Sequence, residues 1–144
     1  MLVEVESQRI LVVEDEERIA SLLQRQLGAA GFEVQTTGRG SEALTAVETR
    51  RPDLIILDLG LPDISGYELC WILRRLYDHA TLPIVILTGL EQCTDDLQRE
   101  AVGADAYLRK PYDVAGLVQT LRRLLPPARS WPGDISLVVP PSSP

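Results

Sequence analysis

The chain has 144 residues, of which 45% are hydrophobic, so it can bury one core of ordinary size and is too short to divide comfortably into two. Its 14 basic and 21 acidic residues give a formal net charge of -7, which opposes direct binding of this segment to nucleic acid. Two cysteines and one histidine lack metal-ligand spacing, and no apolar run approaches the roughly 20 residues of a membrane helix, so we expect a reduced, cytoplasmic protein without membrane contact.

Apolar runs rich in β-branched residues alternate along the chain with segments of helical periodicity. The predicted strands are residues 10–13, 32–36, 54–57, 84–87 and 104–108. A helix is predicted after each strand, from apolar side chains at helical spacing: Ile19, Leu22, Leu23 and Leu27; Ala43, Leu44 and Val47; Leu69, Ile72, Leu73 and Leu76; Leu97, Ala101 and Val102; and Val114, Leu117, Val118, Leu121 and Leu125.

This alternation predicts an α/β fold, a doubly wound five-stranded parallel sheet in the order 2-1-3-4-5 with five flanking helices. The crossovers must be right-handed and must cover both faces of the sheet, as in flavodoxin-like folds. The domain is expected to span residues 9–125. Residues 126–144 have the composition of a Pro-rich linker or tail, with a short apolar run at 134–139, and are either the truncated start of an effector domain or the end of a stand-alone protein.

Four polar residues interrupt or directly follow the apolar strand runs, namely Asp15, Asp58, Thr88 and Lys110. Ligands of doubly wound sheets bind beyond the carboxyl ends of the strands, where the strand order reverses, so we expect these residues to lie together. With Glu14 they place three carboxylates in one crevice, where repulsion raises at least one pKa unless a cation enters. A hard divalent ion with oxygen ligands, Mg²⁺, fits such a site.

A carboxylate in this setting can act as a nucleophile toward phosphorus and form an aspartyl phosphate. Asp58 is the candidate nucleophile, Lys110 the cation that neutralises the phosphoryl oxygens, and Thr88 a hydroxyl donor to one of them. A site that binds the phosphorylated state better than the free carboxylate can drive a change of conformation. The sequence therefore predicts a phosphorylation switch.

The segments 12–16, 57–63 and 110–111, with Thr88 between the last two, resemble the response regulator receiver family of two-component signalling, whose fold is CheY-like. The resemblance covers about residues 9–125. It implies a role for each site residue: Asp58 as phosphoacceptor, Asp15 and Asp58 as direct Mg²⁺ ligands with the Gly60 carbonyl as a third, Glu14 as a ligand through water, Thr88 and Lys110 as phosphoryl contacts, and Thr88 and Tyr107 as the switch pair.

The resemblance also implies partners. A sensor histidine kinase or phosphotransfer protein would donate the phosphoryl group, and the first helix near Arg18, Ser21 and Leu22 is the candidate docking face for it. The tail resembles the linker of OmpR-type transcription regulators, which form dimers through their last helices. Where that subset usually carries charges, this chain has Ala106, Gly116 and Thr120, so its homodimer interface would be atypical.

Other functions fit parts of the pattern. A stand-alone receiver would signal by protein contact, and a pseudo-receiver would only dock. A phosphatase with Asp58 as nucleophile usually needs a second acid where Gly60 stands. A flavin module of the same topology would need hydroxyls and amides in the first loop, which holds Glu14 and Asp15. Of the remaining polar groups, His79 is predicted to be a solvated helix-end residue, and the cysteines are predicted to have no redox role.

Overall fold

The computed structural model describes residues 7–89 and 103–125. They form a five-stranded parallel sheet in the order β2-β1-β3-β4-β5. Its strands are β1 (Arg9–Val13), β2 (Glu33–Thr37), β3 (Leu54–Asp58), β4 (Ile84–Thr88) and β5 (Ala106–Arg109), and the helices in the described ranges are α1 (Glu17–Ala29), α2 (Gly40–Thr49), α3 (Gly66–Leu76) and α4 (Val114–Leu124). The predicted fold and strand order are confirmed, and the helix predicted around residues 97–102 lies outside the described residues.

The central strands read as unbroken apolar runs because the sheet is covered on both faces. Successive side chains of β1 point to opposite faces, and all but the first are buried. Leu11 and Val13 pack in a core cluster with residues of α2 and α3, whereas Ile10 and Val12 pack in a second cluster with residues of α1 and α4. The two cores pack the sheet between helical layers, and this packing positions the ends of its strands.

The start of the fifth strand differs from the prediction. The strand begins at Ala106 rather than at residue 104, because the preceding turn contains Gly103 with a φ of +78°, a left-handed conformation that favours glycine. The side chain of Asp105 then accepts a hydrogen bond from the backbone N–H of Ile84 at 2.8 Å. A side chain therefore binds the first amide of the neighbouring strand β4.

Two of the helices are capped by the side chain of the residue directly before them. Ser65 precedes α3 and its hydroxyl accepts a hydrogen bond from the Glu68 N–H at 3.0 Å, and Asp113 caps α4 through the Gly116 N–H. The helices in residues 7–89 and 103–125 are 10 to 13 residues long, and none of them has the length and apolar character needed to cross a bilayer.

Candidate functional site

The carboxyl ends of three strands bring the predicted site residues together. The register pairs Val13 of β1 with Leu57 of β3, so the residues that follow them, Glu14 and Asp58, are neighbours at this edge. Asp58 is the last residue of β3, and Lys110 follows directly after β5. The strand ends therefore collect acidic and basic side chains that lie far apart along the chain.

Three carboxylates form a tight cluster at this edge. Carboxylate oxygens of Glu14, Asp15 and Asp58 all lie within 4.8 Å of one another. Glu14 and Asp58 are buried, with 5% and 6% of their surface exposed, whereas Asp15 is exposed. The cluster thus has two buried carboxylates and one at the solvent-exposed surface, where an ion can enter.

Lys110 provides the positive charge of this cluster. Its Nζ donates a hydrogen bond to Asp58 Oδ1 at 2.9 Å and lies 3.7 Å from Glu14 Oε1. Burial acts to lower the pKa of Lys110, but the hydrogen bond and charge of Asp58, together with the charge of Glu14, outweigh it and raise the pKa. The lysine is therefore fully protonated and holds Asp58 in place.

The negative charge of Glu14 is only partly balanced by its contacts. Its Oε2 accepts a hydrogen bond from the Glu16 N–H at 3.1 Å, but its Oε1 is buried and has no hydrogen-bond partner among residues 7–89 and 103–125. Burial raises the pKa of Glu14, the Glu16 amide opposes the rise, and the charge of Asp58 adds to it. Lys110 pairs with Glu14 and Asp58, so within the described part of the chain the three carboxylates outnumber the positive charge that contacts them. A buried oxygen without a donor and an all-oxygen set of side chains fit a hard divalent cation.

The loop between β3 and α3 holds the side chain of Asp58 in place. The Gly60 N–H donates to Asp58 Oδ2 at 3.1 Å, so both oxygens of this carboxylate are fixed, one by an amide and one by Lys110. The Gly66 N–H donates to the Leu59 carbonyl at 3.0 Å. A Cβ on Gly66 would lie 2.6 Å from the Asp58 carbonyl oxygen, so glycine permits this close return of the chain. The loop keeps Gly60 next to the acidic cluster.

The predicted switch residues occupy neighbouring strands. Thr88 is the last residue of β4 and pairs with Arg109 of β5, while the position of its side chain lies outside what the structure describes. Tyr107 on β5 is partly buried and packs against the core cluster on the α2 and α3 face. The switch role of these two residues stays a prediction.

Two polar contacts could not be predicted from the sequence. Asp63, which has no strand or helix periodicity to mark it, accepts hydrogen bonds from the first two amides of α2. His79 is not the helix-end residue that the sequence predicts, because α3 ends at Leu76; its Nδ1 lies 2.7 Å from Asp105 Oδ1 although 58% of the side chain is exposed. In the sequence, each contact is marked only by a single acid near a turn, which is a common feature of protein surfaces.

Cys70 takes no part in the site. It is buried in the core cluster on the α2 and α3 face, and burial raises the pKa of its thiol to about 12. The thiol therefore stays protonated at neutral pH, which makes it a poor nucleophile. Cys93 lies outside the described residues.

Comparison with known proteins identifies relatives over most of the chain. The response regulator receiver domain family matches residues 10–122. The phosphate regulon transcriptional regulatory protein PhoB of Rhizobium meliloti is 43% identical over 117 residues, which are 81% of this chain and 52% of that protein. The DNA-binding response regulator MtrA of Mycolicibacterium smegmatis is 39% identical over 139 residues, 92% of this chain and 60% of that protein. The chain thus spans about half the length of the curated relatives it matches.

Solved structures of similar sequence share the fold. The response regulator protein TrrA of Thermotoga maritima, in complex with Mg²⁺-BeF, has a TM-score of 0.74 and 36% identity, and the match covers 82% of this chain and 99% of that one. A CheY-like receiver domain from Methylobacillus flagellatus also has a TM-score of 0.74, with 34% identity over 83% of this chain and 99% of that one. The chain therefore belongs to the response regulator receiver domain family of two-component signalling.

Proposed function

We propose that Asp58 is the phosphoacceptor of this receiver domain and that Mg²⁺ is held directly by Asp15, Asp58 and the Gly60 carbonyl, and by Glu14 through water. The observation that carries the proposal is the surplus of negative charge. Three carboxylates have oxygens within 4.8 Å of one another, and one buried Glu14 oxygen has no hydrogen-bond partner in the described part of the chain. The similar protein TrrA was solved in complex with Mg²⁺-BeF, which supports Mg²⁺ as the ion.

In the proposed reaction, an oxygen of Asp58 attacks the phosphorus of a phosphohistidine or of a small phosphodonor. The new P–O bond forms as the bond to the donor breaks, and the leaving group takes the electron pair and a proton from solvent. Bound Mg²⁺ would supply positive charge to the phosphoryl oxygens. Lys110 would exchange its contact with Asp58 Oδ1 for a contact with a phosphoryl oxygen. Because Asp58 and the neighbouring Glu14 are buried, access of water to the reacting carboxylate would be limited.

Transfer is expected to change the conformation at β4 and β5. Thr88 would donate its hydroxyl to the phosphoryl group and Tyr107 would change its packing against the core in response. The register of the strands supports this coupling, because Ile86, two residues before Thr88, pairs with Tyr107. Slow loss of the phosphoryl group by hydrolysis would return the domain to its starting state, so the domain works as a switch rather than as an enzyme with turnover.

The phosphodonor is expected to dock beside Asp15 on α1. Arg18, Ser21 and Leu22 of this helix are exposed, and Leu22 has 43% of its surface accessible. An exposed apolar side chain flanked by polar ones near the phosphoacceptor suits a transient contact with a sensor histidine kinase or phosphotransfer protein.

The output is expected to be transcription regulation in the cytoplasm. The relatives PhoB and MtrA are named as transcriptional or DNA-binding regulators. Since this chain spans about half of each, we infer that a DNA-contacting part lies beyond the receiver and that residues 126–144 are a linker toward it. The acidic receiver itself, residues 9–125, would not contact nucleic acid, and phosphorylation would act on a homodimer through the last helices.

Labelling with a small phosphodonor tests the phosphoacceptor. Incubation with acetyl phosphate and Mg²⁺ should give one phosphoryl adduct by intact-mass measurement, and Asp58→Asn should abolish it. Asp53→Asn is the matched control, because Asp53 accepts a hydrogen bond from the Arg9 N–H at the opposite end of β3. Equal labelling of Asp58→Asn and wild type would refute the assignment.

A further inference from the structure

An aspartate in the loop between β3 and α3, Asp63, caps the helix α2. Asp63 Oδ1 accepts a hydrogen bond from the Gly40 N–H at 2.8 Å, and Asp63 Oδ2 accepts one from the Ser41 N–H at 2.9 Å. These are the first two amides of α2, and the residue at the usual cap position, Arg39, makes no side-chain cap bond. The cap of α2 is therefore supplied by a residue 22 positions further along the chain.

The loop and the helix also pack closely at this point. A Cβ on Gly40 would lie 2.5 Å from Ile64 Cγ1, so glycine at the first position of α2 leaves room for the loop. The two backbone hydrogen bonds lower the pKa of Asp63 to about 2, and the carboxylate is ionised at any physiological pH. Its negative charge faces the positive end of the helix dipole.

The same loop carries the groups that line the phosphorylation site. Its start holds Asp58 through the Gly60 N–H, and its end is fixed by the Gly66 N–H on the Leu59 carbonyl. Asp63 lies between these two points and fastens the loop to a helix. A shift of the loop away from α2 would therefore move Gly60 relative to Asp58.

We propose that Asp63 is a positioning residue of the phosphorylation site: by capping α2 it holds the β3–α3 loop where Gly60 and Asp58 together bind Mg²⁺. The inference rests on the proposed function, since it deepens the role of the same site. Groups that orient metal ligands from outside the ligand set commonly contribute 10- to 100-fold, roughly, to metal affinity. A residue that only stabilises α2 would leave that affinity unchanged.

The experiment compares Mg²⁺ binding by wild type, Asp63→Ala and Asp63→Asn, with Mg²⁺ alone as the probe. Asp78→Ala is the matched control, because Asp78 is also an exposed aspartate that accepts a hydrogen bond from a backbone amide, that of Thr81 at 2.8 Å, away from the site. Calorimetric titration well below the unfolding temperature gives the dissociation constant, and the NMR signal of the Gly60 amide reports the loop itself.

We expect the Mg²⁺ dissociation constant to rise about tenfold in Asp63→Ala. The rise should be smaller in Asp63→Asn, which keeps one acceptor oxygen, and absent in Asp78→Ala. The Gly60 amide signal should move in the two Asp63 variants only. A wild-type dissociation constant in folded Asp63→Ala, or in Asp63→Asn if the alanine variant does not fold, would overturn the inference. Absence of Mg²⁺ binding by the wild type would instead refute the proposed function.

Discussion

Acidic side chains lie at both ends of the sheet, and the two sites differ in how far neighbouring donors balance their negative charge. At the amino edge, Asp105 accepts hydrogen bonds from Arg74 Nη2 at 2.9 Å and from the Ile84 N–H at 2.8 Å, and it contacts His79 Nδ1 at 2.7 Å. At the carboxyl edge, three carboxylates cluster, and Lys110 pairs with two of them, Glu14 and Asp58. The donors around Asp105 balance its negative charge, so it is the matched group, whereas Lys110 does not balance the charge of the three carboxylates, which are the unmatched group.

The matched group stabilises the scaffold. The remaining guanidinium nitrogens of Arg74 donate to the carbonyls of Gly103, Tyr77 and Leu82, at 2.9 to 3.2 Å. This one side chain thus joins the end of α3 to the turn before β5 and to the entry of β4. Because each charge has its partner, nothing is gained there by binding an ion.

The unmatched group keeps electrostatic free energy that a ligand can release. Glu14 has a buried oxygen that receives no hydrogen bond from the residues the structure describes, and repulsion from Asp58 adds to the burial that raises the pKa of Glu14. A divalent cation would relieve both costs at once. The contrast suggests that unbalanced charge, rather than the presence of acids as such, distinguishes a binding site from a structural ion pair in this fold.

The largest effect is expected from breaking the matched group. Asp105→Ala leaves the Arg74 guanidinium, with 13% of its side chain exposed, without its carboxylate, and should lower the free energy of unfolding by about 3 kcal/mol. Urea denaturation measures the loss. Arg50→Ala is the control, since the ion pair of Arg50 with Glu33 is exposed on both sides and should contribute less than about 1 kcal/mol. Equal losses in the two variants would contradict the distinction, as would loss of Mg²⁺ binding in folded Asp105→Ala.

A smaller effect is expected from the pH dependence of the unmatched group. The pKa of Glu14 is raised above 4.5 in the folded chain, so the folded state binds this proton more tightly than the unfolded state. Its contribution to stability is full below 4.5 and is lost as the pH rises through the raised pKa. The pKa values of Asp63 and Asp78 are lowered, so each adds stability above pH 3.8 and loses it as the pH falls through its lowered pKa. Their effect on stability therefore changes at lower pH than that of Glu14 and in the opposite direction.

The comparison that isolates Glu14 is the free energy of unfolding of wild type and Glu14→Gln from pH 4.5 to neutral pH. Wild type should lose more stability over this range than the variant, and saturating Mg²⁺ should abolish the difference, because the ion favours the ionised carboxylate. Parallel pH profiles without Mg²⁺ would show that Glu14 carries no electrostatic cost.

Much of the fold and the cluster was predictable because both depend on strand position. Apolar runs such as 54–57 predict a strand that is buried on both faces. The polar residue that follows such a run, for example Asp58, must then lie at the carboxyl edge of the sheet. Contacts between loops were not predictable. Asp63 with Ser41, and Asp105 with Arg74, are 22 and 31 residues apart, and no periodicity marks either pair. Their geometry depends on how the helices pack.

The most direct test of charge imbalance at the carboxyl edge is the dependence of stability on Mg²⁺ at constant ionic strength, for wild type and Asp58→Asn. For wild type we predict that the free energy of unfolding rises by about 1.4 kcal/mol for each tenfold increase in Mg²⁺ above the dissociation constant. For Asp58→Asn, which lacks one of the three carboxylates, the rise should begin only at much higher Mg²⁺. A wild-type stability that does not respond to Mg²⁺, or the same response in both proteins, would contradict a divalent-ion site built on Asp58.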